Sequence, residues 1–181
     1  MKKIIALALT VLLTGGFAMA QHGGNHGGTH CGNCPHHKQQ SLKPAALQYN
    51  ADGIETTIVA AFPTAKSVKK GDKWTEVYDD SKKLLGYALY SKPASDGIKG
   101  FNGETPVMIA IDAQKVIRGV YALPNVETPQ FAQRVKDAGF YDNWNGLTVK
   151  KAKKKNVDTV SGATFTSRAV AQSVQAALNT L

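Results

Sequence analysis

The stretch from Asp158 to Ser167 constrains the fold of this chain more than any other, because small and hydroxyl residues run directly into an amphipathic segment. It reads Asp-Thr-Val-Ser-Gly-Ala-Thr-Phe-Thr-Ser. In the segment that follows, Arg168 to Leu181, the apolar residues recur at the spacing of one helix face. They are Val170, Val174, Ala177, Leu178 and Leu181. The pattern predicts a final helix opened by a small-residue turn.

The start of such a helix has two interpretations. Its outward-pointing backbone N–H groups and the positive end of the helix dipole together suit a phosphate group. The alternative is structural, with a hydroxyl of Ser161, Thr164 or Thr166 accepting hydrogen bonds from the first free N–H groups as a helix cap. The spacing alone leaves both open.

The pattern Asp-x-x-Ser-Gly-Ala-Thr-x-Thr resembles the flavinylation signature of the FMN-binding domain family, and it matches at every fixed position. This family includes domains of RnfG, from the Rnf complex, and of NqrC, from the sodium-pumping NADH:quinone reductase. The resemblance implies that a flavin transferase attaches FMN, through its phosphate, to the hydroxyl of Thr166. It also implies cofactor contacts by the rest of the motif: Asp158, Ser161, Gly162, Ala163 and Thr164.

Three further elements are similar to this family. Phe62–Ala65 resembles its Phe-Pro-Gly-Ala element, and Leu85–Tyr87 resembles the strand that carries a Gly-Tyr pair. Glu127–Pro129 resembles the Glu-Thr-Pro-Gly element, which implies that Glu127 and Thr128 lie near the flavin. Altogether the resemblance spans about Leu47 to Leu181.

The chain departs from the family pattern immediately after Glu127–Pro129. Gln130 and Phe131 stand where the family usually has Gly-Leu. A different backbone at this turn is therefore expected. A direct contact of Glu127 or Thr128 with the flavin ring would then not follow from the resemblance.

Residues 1–20 have the three parts of a signal peptide. Lys2 and Lys3 form a basic start, Ile4–Leu13 is apolar, and Ala18-Met19-Ala20 is a small-residue cleavage site. No later run approaches the roughly twenty apolar residues of a membrane span. We expect an exported protein, periplasmic or otherwise outside the cytoplasm, that is soluble after cleavage. The alternative is a signal segment retained as an anchor.

Residues 21–40 differ in composition from everything that follows. This segment has few core-forming side chains, so we predict a disordered tail. Imidazole and thiolate groups suit Zn or Cu, and the two cysteines also suit a short-loop disulfide in an oxidising compartment. The candidate metal ligands are His22, His26, His30, Cys31, Cys34, His36 and His37.

The formal net charge is +9, of which Lys2 and Lys3 supply two positive charges. Nucleic acid is not an expected partner of an exported protein, so the charge favours solubility or docking with acidic proteins. The run Lys150–Lys155 concentrates it. That run is either a solvated loop or a patch beside the flavin phosphate.

Residues 41–181 predict one α+β domain, with antiparallel β hairpins packed against a few helices. Apolar spacing predicts helices at Ile54–Phe62 and Thr128–Phe140. Strand pairs are expected at Lys73–Asp79 with Leu84–Tyr90 and at Val107–Ile111 with Val116–Leu123. The aromatic residues Phe140, Tyr141 and Trp144 are expected in the core rather than around a flavin.

The side chains of the domain exclude several classes of enzyme. Residues 41–181 contain no histidine for acid–base catalysis, and the chain has no phosphate-binding glycine-rich loop. These features and the resemblance together predict an electron-transfer flavoprotein rather than a substrate-specific enzyme. It would relay electrons between a membrane-associated donor, such as a membrane redox complex, and an external acceptor. The alternative is a secreted metal-binding protein that uses the His/Cys-rich tail, with or without flavin-linked metal reduction.

Overall fold

The computed structural model describes residues 43–181, in which one helix is followed by five strands and then by the remaining helices. Five strands and four α-helices are present, with a short 3-10 helix at Phe140–Trp144. Their bounds are α1 Thr56–Ala61, β1 Ser67–Lys70, β2 Thr75–Tyr78, β3 Leu84–Tyr90, β4 Val107–Asp112, β5 Ile117–Ala122, α2 Pro129–Asp137, α3 Val149–Ala152 and α4 Thr164–Asn179. The α+β class expected from the sequence is confirmed.

The five strands form one antiparallel sheet in the order β1-β2-β3-β4-β5, so every strand pairs with its neighbour in sequence. Both predicted hairpins are present, as β2 with β3 and β4 with β5. Pairing of β3 with β4 joins them. Strand β1 was not predicted, and all four of its residues are exposed.

Central strand β4 supplies side chains to two hydrophobic clusters. Side chains alternate across a strand, so Val107, Ile109 and Ile111 point to one face of the sheet. There they join Val170, Val174 and Leu178 of α4 in one cluster. Met108 and Ala110 point to the other face and join the cluster that contains Ile58 of α1 and Phe62. The apolar faces predicted for the first and last helices are therefore the buried ones.

Phe62 of the Phe-Pro-Thr-Ala element packs directly on Gly86 of β3. A side chain at Gly86 would collide with the carbonyl oxygen of Ile111 and lie 2.9 Å from the Phe62 ring. Two of the elements that resemble the family thus contact each other in the core.

The helix predicted at Thr128–Phe140 ends earlier than expected, and a short 3-10 helix follows it. Helix α2 ends at Asp137, and Gly139 adopts a left-handed φ of 63° before the 3-10 helix begins. That short helix carries Phe140 and Trp144, whose rings meet edge to face with centroids 5.7 Å apart. Both are buried, as expected, and burial raises the pKa of the neighbouring Tyr141 to about 12.

Two boundaries near the C-terminus differ from the sequence-based predictions. The lysine run is not simply a loop, since Lys150 and Lys151 belong to α3, whose N-cap Thr148 accepts a hydrogen bond from Lys151 N–H. The last helix begins at Thr164, four residues before the predicted Arg168. Thr166 therefore lies inside the helix rather than in the turn before it.

The predicted signal peptide, the tail and its seven candidate metal ligands lie outside the described residues. Between residues 43 and 181, no helix is both long and apolar enough to cross a membrane. The same part of the chain places no three His, Cys, Asp or Glu side chains where they could hold a metal ion together.

Candidate cofactor site

The turn before α4 exposes the helix N-terminus. Gly162 has a left-handed φ of 74°, and Ala163 N–H closes the turn onto the carbonyl of Val160 at 3.0 Å. Ala163 is the N-cap and has no side-chain oxygen, and no side chain of the described residues caps this helix. The interpretation in which Ser161, Thr164 or Thr166 serves as the cap is therefore wrong. The first-turn N–H groups stay available, because a helix supplies them with no internal acceptor.

Thr166 is the third residue of α4 and is 2% exposed. Its Oγ1 is buried and has no hydrogen-bond partner among residues 43–181. Leaving a buried hydroxyl unpaired costs about 1–3 kcal/mol. The hydroxyl of the next residue, Ser167, is fully used, since it donates to the carbonyl of Ala163 and accepts from Val160 N–H, both at 3.0 Å. Thr166 thus holds the one unused buried hydroxyl of this helix start within the described chain.

Buried Glu127 holds a loop against the start of α4. Its carboxylate accepts hydrogen bonds from the N–H groups of Phe101, Asn102 and Thr128 at 2.8–2.9 Å. A side chain at Gly100 would collide with this carboxylate and lie 3.3 Å from Cα of Thr166. Glu127 therefore lies near Thr166, and its oxygens are engaged by backbone N–H groups.

Apolar side chains form one wall beside Thr166. A cavity of about 280 Å³ is lined by Phe101, Phe131 and the segment 162–166. The rings of Phe101 and Phe131 meet edge to face with centroids 4.9 Å apart. Phe101 and Phe165 are each 62% exposed, which is unusual for so large an apolar side chain. The site therefore offers a flat aromatic group an apolar surface next to the polar start of a helix.

Arg134 of α2 supplies a positive charge at this site. Its guanidinium lies directly against Gly162, where any added Cβ would collide with Nη1 and come within 3.2 Å of Cζ. The sequence pattern did not indicate Arg134, Phe101 or Phe165 as site residues. Their positions depend on tertiary packing. The sequence offered only weak local signals for two of them: Phe165 is an aromatic residue inside the motif, and Phe101 is an aromatic residue next to Gly100.

The remaining predicted site residues are less closely involved. Asp158 and Ser161 are exposed, and neither side chain forms a hydrogen bond or ion pair with another residue of the 43–181 range. Thr128 is the N-cap of α2, and its hydroxyl makes no capping bond. Thr164 is half-buried in the first turn of α4 and lines the cavity.

A larger cavity of about 650 Å³ lies elsewhere in the described residues. It is lined by Leu47, Tyr90, Leu123, Val126 and neighbouring residues, and it includes no residue of the motif. Desolvation, and a 2.6 Å hydrogen bond that Tyr90 donates to buried Glu55, raise the pKa of Tyr90. The smaller cavity is the better cofactor candidate, because it is lined by the start of α4 and by Thr166, the residue whose hydroxyl is unpaired.

Comparison with known proteins gives a match to one family model and several relatives, two of which are described below. Residues 100–179 match the model of the FMN-binding domain. The chain is 24% identical over 148 residues to the G subunit of the Na⁺-translocating ferredoxin:NAD⁺ oxidoreductase complex of Acetobacterium woodii, covering 75% of this chain and 68% of the relative. It is 35% identical over 92 residues to the G subunit of the ion-translocating oxidoreductase complex of Vibrio parahaemolyticus, covering 44% of this chain and 43% of the relative.

Among solved structures, the chain is similar to NqrC of Shewanella oneidensis. The sequence identity is 22% and the TM-score is 0.39, with 64% of this chain and 66% of that chain covered.

The family match confirms the resemblance inferred from the sequence. Residues 100–179, which match the FMN-binding domain model, include the Gly100 loop, Glu127, the motif and all of α4. The residues present fit FMN: the unpaired Thr166 hydroxyl and the uncapped helix suit the phosphate, and the exposed phenylalanines suit the ring.

Proposed function

We propose that this protein is a covalent FMN carrier in which the flavin phosphate is esterified to Oγ1 of Thr166. The observation that carries the proposal is the hydroxyl of Thr166, which is buried and unpaired at the third position of α4. Most buried hydroxyls are paired, as that of Ser167 is. In the described residues the hydroxyls of Thr105 and Ser173 are also buried and unpaired, but of these three side chains only Thr166 lies at the start of α4 and inside the motif. It lies in the Ser-Gly-Ala-Thr-Phe-Thr sequence, at the end of the helix where anions are stabilised.

A flavin transferase would make the ester from an activated flavin donor, because a phosphate monoester does not condense with an alcohol in water. With a flavin dinucleotide as donor, Oγ1 of Thr166 forms a bond to the flavin-side phosphorus. The phosphoanhydride bond breaks, a nucleoside monophosphate leaves, and the hydroxyl proton passes to a base. When bound, FMN supplies the one- and two-electron chemistry, and the protein supplies placement and electrostatics.

The ring of the attached flavin would lie over the wall formed by Phe101, Phe131 and Phe165. Two of these side chains are largely exposed, so a ring resting on them would keep an edge open to partner proteins. Open access suits electron exchange between proteins and does not suit a closed substrate pocket. We therefore infer an electron carrier rather than an enzyme with its own organic substrate.

The names of the relatives support a partner class. Both relatives described above are G subunits of ion-translocating redox complexes. We infer that a membrane redox complex, or another electron-transfer protein, exchanges electrons with this flavin. The signal-peptide pattern of residues 1–20 supports an exchange outside the cytoplasm, in the periplasm or an equivalent exported location, with an external acceptor.

The test is expression of the full chain with a flavin transferase, followed by intact mass measurement. The wild-type protein and Thr164→Ala are expected to gain the mass of one FMN. Thr166→Ala is expected to gain none and to remain folded. Thr164 is a matched control, because it also lies in the first turn of α4 and lines the same cavity. Covalent flavin in Thr166→Ala would refute the assignment.

A second candidate function rests on the composition of residues 21–40, where five histidines and two cysteines suit Zn or Cu. In that case the protein would be purified colourless and loaded with metal. A yellow protein that retains its colour after acid precipitation supports the FMN carrier instead.

A further inference from the structure

Within residues 43–181, Arg134 is a cation that has no anionic partner, and it lies at the proposed attachment site. It projects from α2, is exposed, and forms no ion pair or side-chain hydrogen bond with any residue in the described range. Its guanidinium nevertheless lies against the backbone of Gly162 instead of extending into water. Gly162 precedes the first residue of α4 by two positions, so this charge lies at the helix N-terminus.

An unpaired cation favours an anionic ligand, and three other features at the start of α4 favour an anion as well. The first turn of α4 receives no side-chain cap from residues 43–181, and the helix dipole is positive at this end. Thr166 is 2% exposed, its hydroxyl is unpaired, and it lines the adjoining cavity. A guanidinium adds a planar array of donors that matches phosphate oxygens. Together they describe a phosphate site rather than a site for a neutral molecule.

We propose that Arg134 binds the phosphate of the flavin, first during transfer to Thr166 and afterwards in the finished ester. This inference rests on the proposed function and adds a binding residue to it. Before transfer, the guanidinium offsets the negative charge that approaches the helix. In the ester, the phosphate retains one negative charge, and Arg134 holds it against the backbone of Gly162.

The experiment compares the initial rates of flavin attachment to purified, unloaded full-length proteins, with flavin transferase and a flavin dinucleotide as donor. Arg134→Gln is expected to lower the rate about tenfold. This factor corresponds to the lower end of the free energies found for hydrogen bonds to charged groups. Arg134→Lys keeps the charge but loses the planar donors, and we expect an intermediate rate. Lys136→Gln removes one positive charge from the same helix and is expected to react at the wild-type rate.

A second readout does not depend on the transferase reaction rate. In fully loaded protein, the ³¹P resonance of the ester is expected to shift in Arg134→Gln and to keep its wild-type position in Lys136→Gln. Wild-type rate and unchanged ³¹P position in both Arg134 variants would overturn the role of Arg134. A wild-type protein that gains no FMN at all would instead overturn the proposed function. If Arg134→Gln does not fold, the rate and ³¹P shift of Arg134→Lys decide the question.

Discussion

Gly162 is subject to two separate constraints, and a matched glycine isolates one of them. Gly162 has a φ of 74° and lies against Arg134, whereas Gly53 has a φ of 73° and has nothing within 4 Å of an added Cβ. A left-handed backbone costs a residue with a Cβ about 1–2 kcal/mol. We expect both Gly162→Ala and Gly53→Ala to lower the free energy of unfolding by about this amount.

The two alanine variants should differ in flavin attachment. Only Gly162→Ala displaces Arg134, and it also crowds the approach of the phosphate to Thr166. We expect slower attachment in Gly162→Ala and a wild-type rate in Gly53→Ala, measured by intact mass alongside urea unfolding. Equal rates of flavin attachment in both variants would show that Gly162 is needed only for its left-handed backbone conformation.

At the scale of elements, Glu127 joins the loop at Gly100 to the start of α2. Glu127→Gln replaces one acceptor oxygen by an NH₂ group that faces backbone N–H donors. We expect a loss of about 1–3 kcal/mol in unfolding free energy, because buried donors lose their acceptor. We also expect slower flavin attachment, since the loop that carries Phe101 is no longer fixed beside Thr166. Thermal unfolding and the attachment rate measure the two effects.

Glu104→Gln is the control for this variant. Glu104 pairs with Lys92 and accepts from Gly97 N–H, and these contacts lower its pKa. Because the folded-state pKa is lowered, the stabilisation is present above the unfolded-state pKa and is lost as the pH falls through the folded value. The pair is partly exposed, so the loss at pH 7 should be at most about 1 kcal/mol and should vanish in acid. A larger loss in Glu104→Gln than in Glu127→Gln would contradict our account of the loop.

The elements predicted correctly are those rich in apolar residues. Strands β3 and β4 are nearly continuous apolar runs, and the buried face of α4 has apolar residues at helical spacing. Strand β1 is exposed along its whole length, so no alternation marks it. Helix α4 begins earlier than predicted because Thr166 and Ser167 are buried hydroxyl residues, which interrupt the apolar pattern.

The candidate site was predictable only where its residues are neighbours in sequence. The motif predicts a role for Thr166, but the loop at Gly100 and the guanidinium of Arg134 come from distant segments. Glu127 reaches backbone N–H groups that lie 25 and 26 residues away, and such bonds have no side-chain signature in the loop they hold. Sequence periodicity carries no information about contacts of this kind.

At the scale of the whole molecule, basic charge should affect how the flavin meets its partners. We expect reduction of the loaded protein by an acidic partner flavoprotein to slow as salt rises, because exposed charges are screened within about 10 Å at 0.1 M salt. Lys154 and Lys155 are exposed and precede the motif closely. Replacing both by Gln should slow reduction at low salt, as measured by stopped-flow absorbance of the flavin.

The control removes equal charge from another surface. Lys69 and Lys70 are exposed on the edge strand β1, so the double Gln variant there should leave the rate nearly unchanged. Equal slowing by both pairs would indicate an effect of net charge rather than a docking patch. A rate that does not depend on salt would remove electrostatic steering altogether.

The unpaired hydroxyl of Thr166 also bears on the stability of the protein without its proposed cofactor. An unloaded chain carries the cost of that buried group, about 1–3 kcal/mol, and esterification removes the unsatisfied proton. Valine, which has the same shape, would avoid this cost but could not be esterified. Under the proposed esterification of Thr166, we therefore expect the colourless precursor to be more sensitive to heat and protease than the loaded protein. We also expect a cell that cannot attach flavin to accumulate less of this protein.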